Sequence, residues 1–324
     1  MRSKMLALAG ATLFSLSPLA AHGQQSDPAP ENPDSAPDDA IDVAFDRDRY
    51  ERMTVPVSID GQGPYRFFID TGAQATVVTS RITSDLELEP SGRALLVAMG
   101  SERMVDTIAI DRLEFADRTL SGLTSPLLER KHVGADGILG LDTLQDMRVL
   151  IDFAEQRMTV MDAERAGGRT GYEIVVRARE RLGQMIITNA KLDGVKIAVI
   201  IDTGAQNSVG NLALLSRLRA REQATFSATD VNGFQLVGNI AYGKRLQIDQ
   251  ISLENIPIGF ADSPALEALG FGDKPALILG MGNLRVFQRI AIDFASRRVM
   301  FDLPDNVLRE GLMKFNQRAT RIGG

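Results

Sequence analysis

A chain of 324 residues with 44% apolar side chains is long enough for two lobes of ordinary domain size and apolar enough to give each a core. It contains no cysteine and two histidines, His22 and His132, which excludes disulfides, thiol catalysis and clustered zinc ligands, and leaves a Ser-His-Asp site without a nucleophile turn. A formal charge of −6 offers no basic surface for nucleic acid, and no phosphate-binding glycine pattern appears.

In chain order, Arg2 and Lys4 precede a mostly apolar run from Met5 to Leu19, with small residues at Ala20, Ala21 and Gly23. This pattern predicts an export signal over 1–23, cut after Ala21 or Gly23. The run falls short of the ~20 residues that span a bilayer, so membrane contact is expected only if the signal is retained. Residues 24–41 hold four prolines and five acids with no base, and read as a solvated tether.

From there the pattern is that of strands. Val55, Val57 and Ile59 alternate, Asp60-Gly61 marks a hairpin turn, and Phe67-Phe68-Ile69 is an apolar run that ends at Asp70. Short helices are expected after Gly140 and Gly280. The glycine-rich stretch 163–171 separates a first lobe, 42–162, from a second, 172–303. In the second lobe Ala198 to Ile201 lead into Asp202; Leu212, Leu215 and Leu218 predict a helix capped by Asn211; and Ile256, Ile258 and Phe260 alternate. The tail 304–324 is expected to pack as a helix around Leu308, Leu312 and Phe315.

The two halves are copies. Ile69-Asp70-Thr71-Gly72-Ala73-Gln74 recurs letter for letter as Ile201-Asp202-Thr203-Gly204-Ala205-Gln206, 132 residues on. Asp60-Gly61 matches Asp193-Gly194 at 133, and Ile108 to Asp111 parallels Leu246 to Asp249 at 138. Gly137 to Leu141 faces Leu277 to Met281 at 140, and Ile151-Asp152-Phe153-Ala154 matches Ile292-Asp293-Phe294-Ala295 at 141. Drift in one direction is what unequal loops in two copies of one fold produce, and two copies imply a pseudo-dimer. Asp152 and Asp293, beside Phe and Arg residues, suit structural ion pairs.

Two equivalent carboxylates on glycine turns suit peptide hydrolysis by a pair that shares one proton, because like charges held close cannot both ionise. Each Asp is expected at the end of a buried strand, with Gly72 or Gly204 taking a backbone conformation closed to other residues. At these residues, and at Ile138-Leu139-Gly140 and Ile278-Leu279-Gly280, the chain from about 50 to 303 resembles the aspartic proteases of the pepsin and retropepsin type. The resemblance implies a mainly β fold of two pseudo-twofold-related β-barrel lobes with short helices. It also implies a monomeric endopeptidase that takes a polypeptide and needs neither cofactor nor metal, and the leader predicts that it is exported, periplasmic or secreted.

By the same resemblance, Asp70 and Asp202 activate a water between them. Thr71 and Thr203 interlock the two turns, Gly72 and Gly204 let the backbone pass close by, and the apolar-apolar-Gly steps support them from behind. Ala73 and Ala205 follow the retropepsin pattern. A hydroxyl there could donate to the ionised carboxylate, so its absence predicts a mildly acidic optimum. No Tyr lies between Arg81 and Val133, so closure is expected from hairpins tipped by Met99-Gly100-Ser101 and by Asn232-Gly233-Phe234. Leu141 stands where retroviral enzymes usually carry an Arg that bridges the lobes. His132 is expected in a loop. The alternative to an enzyme is a non-catalytic exported pseudoprotease that binds peptides.

Overall fold

The computed structural model describes residues 4–6, 10–11, 41–44, 54–116, 118–166, 172, 174–218, 222–304 and 318–321. The expected tail helix lies mostly outside them, as does the stretch 167–171 of the interlobe linker. Three short strands come first, β1 (Lys4–Leu6), β2 (Gly10–Ala11) and β3 (Ile41–Ala44). The first lobe then contributes β4 (Thr54–Ile59), β5 (Gln62–Ile69), β6 (Val77–Thr79), β7 (Pro90–Val97), β8 (Glu102–Phe115), β9 (Arg118–Leu128) and β10 (Gly137–Leu139). Helices α1 (Ser80–Asp85), α2 (Arg130–Val133) and α3 (Leu141–Leu144) punctuate it.

After β11 (Met147–Asp152), β12 (Arg157–Asp162), β13 (Ile174–Arg177) and β14 (Arg179–Arg181), the plan repeats. The second lobe has β15 (Gln184–Leu192), β16 (Val195–Ile201), β17 (Val209–Gly210), α4 (Leu212–Leu215), β18 (Glu222–Asp230), β19 (Gln235–Ile248), β20 (Ile251–Phe260), α5 (Pro264–Ala268), β21 (Ala276–Leu279) and α6 (Met281–Leu284). Last come β22 (Arg289–Asp293), β23 (Arg298–Asp302) and β24 (Arg318–Arg321), the last paired to β20.

Each lobe closes on itself, so the fold is mainly β with two barrel-like lobes. In the first the ring runs β4-β5-β10-β6-β9-β8 and back to β4; in the second it runs β15-β16-β21-β17-β20-β19 and back to β15. Closure removes the open edges that would otherwise invite aggregation. The alternating residues do what their pattern predicts: Val55, Val57 and Ile59 are buried and Pro56 between the first two is exposed.

A third sheet, β13-β23-β22-β11-β12-β3, joins the lobes through antiparallel β11 and β22, with Val149 opposite Ile292 and Ile151 opposite Ile290. At its flanks Arg148 faces Asp293 and Asp152 faces Arg289, as a twofold relation between the halves requires. The Arg148 guanidinium binds Asp293 at 2.6 Å, with both side chains almost wholly buried. The cost of burying Asp293 is outweighed by the Ser296 N–H and by Arg148, which together hold its carboxyl below the usual range. The expected ion-pair role thus holds for Asp293. Asp152 instead accepts the Glu155 N–H at 2.8 Å and fixes the β11–β12 turn, while Arg289 binds Asp302 at 2.6 Å.

Two details differ from the expectation. The repeat register at Ile108 to Asp111 is wrong by five residues: the counterpart of Leu246 is Leu113, each paired to the end of the lobe's first strand, Leu192 and Ile59. The turn residues Ala116 and Asp249, both with positive φ, confirm a shift of 133 there. β8 runs through Asp111 without a break, and its alternating apolar residues mimic the hairpin signal of the other copy. In α4 the Asn211 side chain does cap the helix, but Leu214 is the residue fully buried and Leu212 is half exposed, because the helix ends after one turn and docks by Leu214 and Leu218.

Candidate active site

Each aspartate is placed by the apolar strand before it and by a short strand beside it. β5 ends at Ile69 next to Leu139 of β10, and β16 ends at Ile201 next to Leu279 of β21. The Asp70 N–H donates to the Leu139 carbonyl at 3.0 Å and the Asp202 N–H to the Leu279 carbonyl at 3.1 Å. Within each turn the carboxylate folds back on its own backbone. Asp70 Oδ1 accepts from the N–H of Gly72 at 2.7 Å and Ala73 at 3.1 Å, and Asp202 Oδ1 from those of Gly204 at 2.8 Å and Ala205 at 3.0 Å.

The turns interlock across the pseudo-twofold axis. Thr71 donates its hydroxyl to the Ile201 carbonyl and accepts the Thr203 N–H, while Thr203 donates to the Ile69 carbonyl and accepts the Thr71 N–H, all within 2.7–3.1 Å. This sets each carboxyl against the glycine of the opposite turn, so the two acids meet at the lobe interface. Both residues are buried, Asp70 at 1% and Asp202 at 0% exposure. Burial first, and the Asp70 charge next, push the Asp202 carboxyl well above the ordinary range, against the pull of the Ala205 and Gly204 N–H groups. Two acids so coupled titrate as a pair rather than singly.

Glycine is required in these turns for the expected close approach and not for a special backbone conformation. Neither Gly72 nor Gly204 lies in the left-handed region. A Cβ on Gly72 would stand 2.6 Å from Asp202 Oδ2, and one on Gly204 would collide with the Asp70 carboxyl carbon. Each glycine therefore makes room for the opposite lobe's carboxylate. Gly140 and Gly280 serve likewise behind the turns, where a Cβ would meet the backbone of Ala75 and of Ala205 and Asn207.

Other supporting residues carry no sequence signal of their own. Thr76 donates its hydroxyl to Asp142 at 2.7 Å and accepts the Gly140 N–H, and burial raises the Asp142 carboxyl despite the Thr76 donors. The second lobe builds the same brace from Ser208 and Asn283 at 2.6 Å, with Ser208 accepting the Gly280 N–H. Asp142 and Gly282 occupy the equivalent place, each donating its N–H to the carbonyl of Gln74 or Gln206, so the brace has moved by one residue and a comparison of the repeats overlooks it.

The Leu141 side chain lies beside Gly183 of the β14–β15 turn, where a Cβ would stand 3.2 Å from its methyl group. Gln74 donates to the Leu182 carbonyl at 2.7 Å and Gln184 to the Gly72 carbonyl at 2.5 Å, tying the β14–β15 turn to the first lobe's aspartate turn.

The two expected flaps are hairpin tips, β7–β8 and β18–β19, and they touch: a Cβ on Gly100 would stand 3.2 Å from the Phe234 ring. Met99 is buried, Ser101 bonds to Asn232 at 3.0 Å, and Gly233 packs on the ring of His132. His132 thus sits in α2 rather than in a loop. The outer edge of β7 takes β1 in parallel, and that of β18 takes β2 in antiparallel. Among the described residues no group of His, Cys, Asp or Glu is placed to hold a metal ion, and no helix is long and apolar enough to cross a membrane.

No curated protein matches the chain. The family model described as aspartyl protease matches it twice, over residues 55–143 and 188–282, one match per lobe with an Asp-Thr-Gly turn in each. The chain belongs to the aspartyl protease family, in its two-lobed, retropepsin-like form.

Proposed function

We propose that the protein is an aspartic endopeptidase in which Asp70 and Asp202 hydrolyse a peptide bond through a water held between them. The observation that carries this reading is the meeting of two buried carboxyls from opposite lobes, each pinned by its own turn. With one proton on the pair, the ionised carboxyl accepts a proton from the water as its oxygen attacks the peptide carbonyl, and the protonated one donates to the developing oxyanion. Collapse of the tetrahedral species breaks the C–N bond while a carboxyl proton passes to the leaving nitrogen, and the pair returns to a single shared proton.

The peptide substrate is read as an extended chain. Support comes from the edges of β7 and β18, which accept extended segments by strand addition. The basic and apolar leader supports export to the periplasm or beyond.

Asp70→Asn and Asp202→Asn, compared with the parent on an unfolded polypeptide, test the proposal. Each should lower cleavage by about 10²–10⁴-fold or more, and a pepstatin-type transition-state mimic should inhibit the parent. Equal turnover by all three overturns it, and binding without cleavage by the parent selects the pseudoprotease.

A further inference from the structure

The flap tips do more than touch; each is buried in the other lobe. Met99 of the first flap joins the apolar cluster that includes Ala198, Ile200 and Ala205 of the second lobe, and Val231 of the second flap joins the one that includes Phe68, Ala73 and Val133 of the first. Between them lies Asp230, 1% exposed and the last residue of β18. Its Oδ1 accepts the N–H of Asn232 at 3.0 Å and of Phe234 at 2.9 Å, shaping its own hairpin. Its Oδ2 reaches the other lobe, accepting the Ser101 hydroxyl at 2.7 Å and the Gly100 N–H at 3.3 Å. Asn232 then donates to Ser101, and Arg103 to the Asn232 carbonyl at 3.5 Å.

This carboxylate has no counterpart in the first lobe. Aligning the flap glycines Gly100 and Gly233 sets Val97 opposite Asp230 and Phe234 opposite Ser101. The repeat is identical at the aspartate turns and broken here, where one half supplies the acceptor and the other the hydroxyl donor. Charge-assisted bonds of this kind are the stronger ones, and a buried carboxylate that loses them is left uncompensated.

The geometry points to Asp230 as the positioning residue that holds the two flaps shut over the carboxyl pair, so that a peptide enters only when Ser101 and Gly100 leave it. The identity of what enters rests on the peptidase reading; the catch itself can be measured without turnover.

Amide hydrogen exchange on the full chain is the test, comparing parent, Asp230→Ala and Ser101→Ala. In Asp230→Ala, exchange at 99–101 and 231–234 should quicken by about tenfold or more, while amides of β5 and β16 keep their parent rates. Ser101→Ala should quicken both flaps by a smaller factor, and it keeps the test open if Asp230→Ala fails to fold. In turnover, KM for an unfolded polypeptide should fall in both variants, because the shut free enzyme no longer competes with entry, with the pH limbs of kcat unmoved, whereas a general loosening of the fold would disturb β5 and β16 as well. Unchanged exchange at 99–101 in Asp230→Ala, or a response to Ser101→Ala confined to its own hairpin, overturns the proposal. Loosened flaps in a protein that cleaves nothing would sink the peptidase reading and leave the catch standing.

Discussion

Asp202 carries a burial cost that the fold must absorb. Its carboxyl is raised above its unfolded-state value by burial and by Asp70, so its contribution to stability is full in acid and lost as pH rises through the folded-state pKa. Asp202→Asn should therefore melt higher than the parent at neutral pH and lose that advantage in acid, even as cleavage disappears; melting curves across pH check this. Gly72→Ala is expected to keep the backbone conformation and lose activity, because its Cβ meets Asp202 Oδ2 at 2.6 Å and displaces it. A misplacement of that order lowers kcat by about 10²-fold. The repeated Asp-Thr-Gly makes both aspartates legible in the amino-acid sequence alone. Which group the glycine makes room for is not, because the close approach comes from a residue 130 positions away along the chain.

At the scale of the element, the turns are held by hydrogen bonds that cross the lobe interface. Thr71→Val removes a donor to the Ile201 carbonyl and the acceptor of the Thr203 N–H, stranding buried polar groups that each cost about 1–3 kcal/mol. Thr71→Ser should keep both bonds, so the two variants should separate clearly in urea unfolding. Arg148→Ala leaves Asp293 buried without its cation, at a cost of about 3–5 kcal/mol. Since the Asp293 carboxyl is held low, its share of stability is present above the unfolded-state pKa and fades as pH falls, so parent and variant should converge in acid. Apolar alternation and apolar runs located β4, the end of β5, β16 and β20, and short helices do follow Gly140 and Gly280. Alternation misaligned Ile108 to Asp111, since a long strand and a hairpin can carry the same pattern, and it gave no sign of Gln74 or Gln184, whose carboxamides matter only through the facing lobe.

For the whole molecule, the duplication made two closed lobes related by a pseudo-twofold axis legible, while the sheet they share through β11 and β22 was not foreseen. The one-sided features were hidden, since comparison of the halves rewards what they share. Asp142 against Asn283 and Asp230 against Val97 are such differences. With alanine rather than a hydroxyl residue at 73 and 205, the activity optimum should be mildly acidic. Ala73→Ser, by offering the Asp70 carboxylate a further donor, should shift the acid limb of the pH–rate profile downward. A parent that works best in strong acid would contradict the argument.

The uneven flap hydrogen bonds restrict what the two halves can still become. A symmetric assembly of two first halves would set Val97 of each against Ser101 of the other and leave both hydroxyls without a carboxylate, while two second halves would bring Asp230 to each side with Phe234 where the hydroxyl should stand. Fusion has thus let the halves specialise, and neither can any longer stand in for its twin.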